Sequence, residues 1–306
     1  MESFWNSSNL LRIIVKWKWH ILSITLLGMV IIGASTYLIE PKFKSTSIVY
    51  PINLGTFSDE SYSEQMVQIL KSRDVTDKII EDFSLAEHYE LDSAYKHFKS
   101  TMYYLYNQNV SISKTEYESV EIDVLDTDPQ KAADMANAMI NYYDQKVRDM
   151  HKLKLKELIV INENYISVLA DKKKAIEDRL HVLNKDYGIL DFETQVEGLT
   201  EGAFGPKSAQ ANKQLENFKE YGTEFNALNM ELDSLTGHYL HYIFEVNLQK
   251  VEYEKSITYS SVITTAYAND SKFSPKRIPI TMLGGLSVFA LVIFIIAFVE
   301  KKKHNI

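Results

Sequence analysis

The sequence contains no cysteine in its 306 residues. Without cysteine the chain can form no disulfide bond and can use no thiolate as a nucleophile or metal ligand. Its stability must therefore come from its own core and from the molecules that contact it. The length allows one large domain or two small ones.

Charged residues are absent from two long hydrophobic runs, residues 21–39 and residues 278–299. A bilayer core about 30 Å thick needs roughly 20 apolar helical residues, and both runs are long enough. A core helix of a soluble protein is rarely apolar on all sides over such a length. The first run also lacks the small-residue cleavage site of a signal peptide. We therefore predict one transmembrane helix near each end of the chain.

Basic residues flank both runs on the side away from the middle of the chain. Arg12, Lys16 and Lys18 precede the first run, and Lys301–Lys303 follow the second. Positive charge in short flanks is typical of the cytoplasmic side of a membrane. We expect both termini to be cytoplasmic and residues 40–277 to lie outside the cytoplasm, which in a bacterium is the periplasm.

The middle segment is predicted to be strongly acidic. Each flank carries a net charge of +2 and the whole chain −8, which leaves about −12 for the middle segment. An acidic exterior argues against nucleic acid as a partner and against adhesion to anionic lipid.

Strand patterns occur near both membrane runs. The clearest is residues 118–125, where apolar Val120, Ile122 and Val124 alternate with acidic residues, as in a half-buried strand. Residues 114–116 are predicted to connect this strand to its predecessor as a hairpin. The other segments that we predict as strands are residues 41–51, 109–113 and 257–268. Helices are predicted at residues 61–83 and, for a short stretch, at residues 93–99.

Proline and glycine are absent between Pro129 and Gly188. Asp128 and Pro129 form a helix start, so an uninterrupted helix would run for about 90 Å. That length exceeds a compact domain of this size, so the helix either projects as an arm or is broken near Met150 and His151. A second amphipathic helix is predicted after Pro206, with residues 198–206 as the turn, and such helices pack together or against copies of themselves.

These patterns predict an α+β membrane protein with a periplasmic α/β base and a long projecting helical arm between two transmembrane helices. The predicted limits are cytoplasmic tails at 1–20 and 300–306, spans at 21–39 and 278–299, a base at about 40–128 and 256–277, and an arm at about 129–255.

No catalytic constellation is recognisable, so we predict neither an enzyme nor a cofactor or metal site. Residues 205–208 imitate the end of a phosphate-binding loop but lack its first glycine. His238 and His241 share a helical spacing but have no acidic third ligand in register. Asp126 and Asp128 are interpreted as turn and cap residues. Lys172–Lys174 is interpreted as a solvated helix face, and Tyr103, Tyr104 and Tyr106 as core or edge-strand residues, with stacking on sugars as the alternative.

Four stretches, in order between the two runs, resemble the Wzz-type chain-length determinants, or polysaccharide co-polymerases. They are residues 41–51, residues 69–80, residues 120–138 and residues 266–279. The positions that carry the motifs, and that we expect to be structural, are Pro41, Ser45, Leu70, Ser72, Arg73, Asp128, Pro129, Ala132 and Asn137.

The resemblance implies an oligomeric ring in the bacterial inner membrane that regulates the chain length of a surface polysaccharide without catalysis. The implied partners are copies of the chain itself, a polysaccharide polymerase, a flippase or export machinery, and the polysaccharide. Relatives often carry a cytoplasmic tyrosine-kinase domain, and this sequence is not expected to supply one. The alternative function is an adaptor for a separate cytoplasmic tyrosine kinase in export. A ligand-sensing receptor is less compatible with such short tails, which cannot form an output domain.

The candidate functional residues lie at and within the second run. They are Pro275, Lys276, Arg277, Pro279, Gly284 and Gly285. Proline fixes φ and removes a donor, so Pro275 and Pro279 are expected to rigidify or kink the start of the span. Gly284 and Gly285 permit close helix approach. Whether they meet a helix of the ring, the polymerase or only lipid is left open at this point.

Overall fold

The computed structural model describes residues 11, 14–53, 55, 59–191, 194–195, 197–198 and 209–304. It divides into two compact units. The first comprises Met1–Lys146 together with Thr258–Ile306, and the second comprises Val147–Ile257. The limits that we predict for the base and the arm, and the projection of the arm, stay predictions.

Two long apolar helices lie in the first unit. Helix α1 runs over Lys18–Ser35 and is followed by a 3₁₀ turn at Thr36–Leu38, and helix α8 runs over Arg277–His304. Their most apolar windows have mean hydropathies of 2.0 and 2.8, and each helix is long enough to cross a membrane. The prediction of two candidate spans is confirmed.

A five-stranded antiparallel sheet forms the other part of the first unit. Its strands are β1 (Lys42–Pro51), β2 (Val110–Lys114), β3 (Val120–Asp126), β4 (Ser260–Thr264) and β5 (Lys272–Ser274). The order is β2-β3-β1-β4, with β5 paired to the start of β1. The predicted hairpin between β2 and β3 is confirmed by their antiparallel register. The predicted alternation along β3 is also confirmed, because Val120, Ile122 and Val124 are fully buried while the residues between them are partly exposed.

Four short helices complete the first unit. They are α2 (Tyr62–Leu70), α3 (Arg73–Asp82), α4 (Leu85–His88) and α5 (Phe98–Asn109). The stretch predicted as one helix over residues 61–83 is therefore two helices, because Ser72 adopts an extended backbone (φ −64°, ψ 152°) before α3. The predicted helix at residues 93–99 is wrong, since turns occupy most of it and α5 begins only at Phe98.

The three neighbouring tyrosines lie on helix α5 rather than on an edge strand. Tyr106 is buried, whereas Tyr104 is exposed and Tyr103 donates a hydrogen bond to Asp77. Burial raises the pKa of the Tyr106 hydroxyl far above its ordinary value. The interpretation as core residues is thus correct for Tyr106, and the interpretation as edge-strand residues is wrong.

Two long helices dominate the second unit. Helix α6 (Pro129–Tyr187) begins in the first unit and continues without a break for 59 residues, so no break occurs near Met150 and His151. It ends at Gly188, which has a positive φ of 72° that glycine adopts without strain. Helix α7 (Ala209–Glu254) is the second long helix, as predicted. Apart from residue 198, the predicted turn at 198–206 lies outside the described residues.

An apolar cluster joins α6 to α7 within the second unit. Leu183, Ile189 and Phe225 are its buried members, and partly buried side chains on both helices surround them. Tyr187 packs against Tyr221 with ring centroids 4.3 Å apart. Arg179 on α6 forms two hydrogen bonds, of 2.7 and 2.9 Å, with Glu224 on α7.

Candidate functional site

The start of helix α8 contains four of the six residues that the sequence singles out. Strand β5 ends at Ser274, the Ser274–Pro275 peptide bond is cis, and Pro275 is buried. The helix begins at Arg277, so Pro279 occupies its first turn. A residue in the first turn has no intrahelical partner for its N–H, and Pro279 therefore leaves the helix unbroken.

Basic side chains at this end of the span stack on aromatic rings. The Arg277 guanidinium carbon lies 3.9 Å from the ring centroid of Tyr37, which lies in the 3₁₀ turn at the end of the first span. The ammonium nitrogens of Lys276 and Lys44 each lie 5.6 Å from the ring centroid of Phe273. The contact between Tyr37 and Arg277 joins the end of one candidate span to the beginning of the other.

The two predicted glycines face the first span of the same chain. A Cβ added to Gly284 would lie 2.7 Å from Cδ1 of Ile32, and a Cβ added to Gly285 would overlap the side chain of Met29. On the other helix, a Cβ at Gly28 would lie 2.9 Å from Cγ1 of Val288. Each of these positions needs the small size of glycine, so the spans approach closely within one protomer. Small residues allow such an approach between membrane helices.

An ion pair joins the two spans at their other end. Lys16, before α1, pairs with Glu300, near the end of α8. The side chain of Glu300 is only 12% exposed, whereas that of Lys16 is 63% exposed. The helices therefore run antiparallel, with Tyr37 and Arg277 at one end and this ion pair at the other.

Several motif positions join β1 and the returning segment to helix α6. Ser45 is buried and its hydroxyl donates to the carbonyl of Tyr267 at 2.8 Å. Asn137 forms two hydrogen bonds of 3.0 Å with the backbone of Ala266, as donor to the carbonyl and as acceptor from the N–H. Ala132, one turn before Asn137, is fully buried. These positions hold the residues before the second span against strand β1 and helix α6.

The remaining motif positions lie at or beside the ends of helices and strands. Asp128 accepts hydrogen bonds from the N–H groups of Gln130 at 2.9 Å and Lys131 at 3.3 Å, and Pro129 opens α6. Leu70 is fully buried, and Ser72 precedes α3 with its hydroxyl buried. Arg73 lies 5.4 Å from the ring centroid of Tyr103. Pro41 is exposed just before β1. That these motif positions serve as structural residues stays a prediction.

A polar cavity of about 290 Å³ lies beside the end of β3. The side chain of Asp126 is fully buried there, with Oδ1 2.7 Å from Nε2 of His88 and 2.9 Å from the N–H of Asp128. Nζ of Lys42 donates to Oδ1 of Asn109 at 2.6 Å. Burial raises the pKa of Tyr89, which also lines this cavity, to about 12. The interpretation of Asp126 and Asp128 as turn and cap residues is confirmed by these hydrogen bonds.

Sequence reasoning missed the residues of the first span and of strand β5 that contact the start of helix α8 and its glycines. Tyr37 and Phe273 carry the aromatic faces, while Met29 and Ile32 fill the space beside the glycines. Tyr37 could have been found from the sequence, because it lies near the end of the first apolar run and aromatic residues are common at membrane interfaces. No periodicity marks Met29 and Ile32, because their partners lie about 250 positions away in the chain. Among the described residues, no three His, Cys, Asp or Glu side chains are grouped as metal ligands.

Comparisons with known proteins support the predicted resemblance. Residues 8–83 match the model of the Wzz chain length determinant family. A full-length bacterial polysaccharide co-polymerase has the same fold, with a TM-score of 0.51 and 14% identity, covering 98% of this chain and 99% of that chain. No curated protein sequence is significantly similar to this chain.

Two further solved structures match over 76% of this chain and 100% of their own. The wild-type O-antigen chain-length regulator of Shigella flexneri has a TM-score of 0.38 and 13% identity. A Wzz dodecamer fitted to a cryo-EM map has a TM-score of 0.37 and 12% identity. Of these three structures, the full-length co-polymerase is the one on which the conclusion about the fold depends. Its match confirms the predicted α+β membrane architecture.

Proposed function

We propose that this chain regulates the length of a bacterial surface polysaccharide. Its match to the Wzz chain length determinant family and its co-polymerase fold support this proposal. The observation that carries the proposal is the family match at residues 8–83, which include the first span and strand β1. The correspondence of fold over 98% of the chain supports it, because it extends the likeness through the second span. The polysaccharide is an O-antigen, a capsule or an exopolysaccharide.

The proposed location is the bacterial inner membrane, with both termini in the cytoplasm and residues 40–277 in the periplasm. The antiparallel pairing of the two apolar helices supports this topology, since it brings both basic flanks to one side. The ion pair between Lys16 and Glu300 then lies at the cytoplasmic face, and the stacked Tyr37 and Arg277 lie at the periplasmic face.

Regulation by binding and geometry, without catalysis, is the proposed mode of action. The absence of cysteine and of a phosphate-binding motif from the sequence supports this view. A chain of this kind influences a polymerase by presenting surfaces to it or to its growing product. The proposed partners are therefore the polymerase, a flippase or export machinery, and the polysaccharide.

Several copies of the chain are proposed to assemble through the second unit. Large apolar side chains recur along one face of α7 at spacings of three and four residues and stay about half exposed: Leu240, Phe244, Leu248 and Val251. Exposed apolar side chains on α6 include Leu153, Val160, Ile161 and Val168. Extended apolar faces of this kind are typical of protein–protein contacts. A second copy of the same surface is the occupant that the ring architecture of the family implies.

Deletion and restoration of the gene in its host test the proposed function. We expect the modal band of surface polysaccharide on a gel to collapse to short or random lengths on deletion. Restoration of the wild-type gene should return the mode. Complete loss of polymer would favour the kinase-adaptor or export role, and an unchanged ladder would contradict chain-length regulation.

A further inference from the structure

Three basic side chains lie within six residues at the start of the second span. They are Lys272, Lys276 and Arg277, and together with Tyr37 and Phe273 we call them the outer-end patch. None of the ion pairs formed by the described residues includes any of these three cations. The neighbouring Lys44, in contrast, pairs with Asp123 at 2.8 Å. The patch therefore holds positive charge that no ion pair of the described residues neutralises.

The charge of the patch is opposite to that of the segment around it. Residues 40–277 carry a net charge of about −12, which argues against adhesion of the segment as a whole to anionic lipid. Charges separated by more than about 8–10 Å are largely screened at physiological ionic strength, so the local group decides what binds locally. Glu40 and Asp270, the acids nearest in sequence, form no ion pair with the patch among the described residues. Asp123 lies near the patch through Lys44, whose Nζ contacts the Phe273 ring, but its ion-pair partner is Lys44. A net acidic domain can thus carry a cationic site.

In the proposed topology the patch lies at the level of lipid headgroups. Tyr37 lies at the end of the first candidate span and Arg277 at the beginning of the second, and the two side chains stack. In the proposed topology this end faces the periplasm, where flanking basic residues are normally fewer than on the cytoplasmic side. Three cations at this position therefore need an explanation beyond the orientation of the chain.

Arginine geometry and the helix start favour a phosphate as the anion. The Tyr37 ring supports one face of the Arg277 guanidinium, and Nε of Arg277 is buried without a partner among the described residues. A guanidinium offers paired N–H donors that match phosphate oxygens. Arg277 also begins a helix of 28 residues, whose first N–H groups and dipole favour a bound anion. The combined positive charge exceeds what a single phosphodiester would neutralise.

We propose that the outer-end patch binds the phosphate group of a membrane lipid and prefers a phosphate with more than one negative charge to a phosphodiester. The proposal rests on the proposed membrane topology but does not depend on the role in chain length. In this proposal the phosphate contacts Lys276 and Arg277 directly. Tyr37 and Phe273 orient these two basic side chains.

Binding is tested with the full chain purified in maltoside micelles. The probes are fluorescent phosphatidic acid (a phosphomonoester), phosphatidylglycerol (a phosphodiester) and phosphatidylcholine (a zwitterion), with inorganic pyrophosphate as a soluble competitor. The test variant is K272Q/K276Q/R277Q. The matched control is K172Q/K173Q/K174Q, which removes the same charge from helix α6 in the other unit. Circular dichroism verifies the helical content of both variants.

We expect wild type to bind phosphatidic acid several-fold more tightly than phosphatidylglycerol and to bind phosphatidylcholine weakest. The patch variant should lose at least tenfold in affinity for phosphatidic acid, because each basic residue near anionic headgroups contributes several-fold. The control should stay within twofold of wild type. If the triple variant does not fold, K276Q decides the question, since Lys276 is exposed and its removal should still weaken binding several-fold. The charge-retaining K276R should keep most of the binding, whereas R277K should lose part of it, because lysine lacks the paired N–H donors of the stacked guanidinium.

Three results would overturn the proposal. They are an equal loss in the control, no preference for phosphatidic acid over phosphatidylcholine, and competition by pyrophosphate at the affinity of the lipid, which would assign the patch to a soluble phosphate. Because binding is measured on the isolated chain, its failure is distinct from a failure of chain-length control in the host. A chain that binds the lipid but leaves the polysaccharide unchanged would refute the proposed function alone.

Discussion

The two units of the chain bury their apolar side chains to very different degrees. In the first unit the sheet and short helices enclose many fully buried residues: Val49, Leu70, Ile79, Ile122, Val124, Met139 and Tyr143. In the second unit a few residues on α6 and α7 are buried, and Leu240, Phe244 and Leu248 are 49–59% exposed. The first unit has its core within one chain, whereas the second has an apolar face that the described residues of that unit leave exposed.

This difference separates two kinds of sequence constraint. A residue of the sheet core is selected for packing inside the protomer, so its replacement is expected to change the free energy of unfolding. A residue on the exposed face of α7 is expected to change association between chains instead. Similar substitutions in the two units are therefore expected to have different effects.

Truncation of a buried and of an exposed leucine should separate the units most strongly. Leu70→Ala removes a fully buried side chain of the first unit and should cost about 2–5 kcal/mol of unfolding free energy. Leu248→Ala removes a half-exposed side chain of α7 and should stay within about 0.5 kcal/mol. Thermal unfolding in micelles measures both.

Light scattering, which measures the mass of the assembly, provides a second comparison of these two variants. Leu248→Ala should reduce the mass of the assembly, and Leu70→Ala should not do so before it unfolds. A loss of stability in Leu248→Ala as large as that in Leu70→Ala would show that the α7 face is part of the protomer core.

The same glycine-to-alanine change should have opposite signs in the two units. Gly285→Ala places a methyl group against Met29 and should destabilise the packed spans by about 1–3 kcal/mol. Gly237 on α7 has no heavy atom within 4 Å of an added Cβ, so Gly237→Ala should stabilise the helix by about 0.5–1 kcal/mol. Unfolding curves of the two variants against wild type give the comparison. Equal shifts would argue against close packing of the spans within one chain.

Two asparagines test the importance of hydrogen bonds to backbone groups. Asn137→Ala leaves both the N–H and the carbonyl of Ala266 without their partner and should cost about 1–3 kcal/mol. Asn162→Ala in the second unit removes one side-chain contact of 3.2 Å with Gln249 and should cost less. Denaturant titration of the full chain ranks the two changes, and the reverse ranking would contradict the role that we assign to Asn137.

Alanine at Pro275 and Pro279 should alter function more than stability. Pro279 is exposed in the first turn of α8, where no hydrogen bond depends on it. We expect the double variant to fold and to shift the modal length of the polysaccharide, because the start of the span becomes less rigid. The gel of surface polysaccharide from the complemented deletion host is the measurement. A wild-type ladder would remove these prolines from the site.

The smallest effect is expected at the ion pair between Arg179 and Glu224. The hydrogen bonds from Arg179 lower the pKa of Glu224 below its ordinary 4.5, so any stabilisation is present above that pH and disappears as the pH falls through the lowered pKa. Both groups are exposed, and such pairs contribute little. Glu224→Gln should therefore differ slightly from wild type at pH 7 and not at all in acid. A difference that persists in acid would require another cause than the charge.

The elements that are defined by local signals could be predicted from the sequence. Helix α6 begins at Asp128 and Pro129 and ends before Gly188, and these residues determine its limits through capping and a positive φ. The alternation of apolar and acidic residues in β3 likewise predicted which of its side chains are buried. The break at Ser72 could not be predicted, because the apolar spacing continues across it from Leu70 to Val75.

The candidate site could be predicted only in part. Proline, lysine, arginine and glycine in residues 275–285 indicated where it lies, yet their partners come from the first span. The stacking of Arg277 on Tyr37 and the contact of Gly285 with Met29 depend on how α1 and α8 pack, and no local pattern encodes that pairing. Pairings between distant segments are decided by the tertiary fold.

The most direct test of the proposed function measures polysaccharide length at graded amounts of the chain. The deletion host would carry the wild-type gene under a titratable promoter, and the ladder would be quantified for both the position and the intensity of its mode. If the chain regulates length, the length distribution will change with its amount while total polymer stays nearly constant. If only total polymer changes and the distribution stays fixed, the chain acts in export or initiation, and chain-length regulation is contradicted.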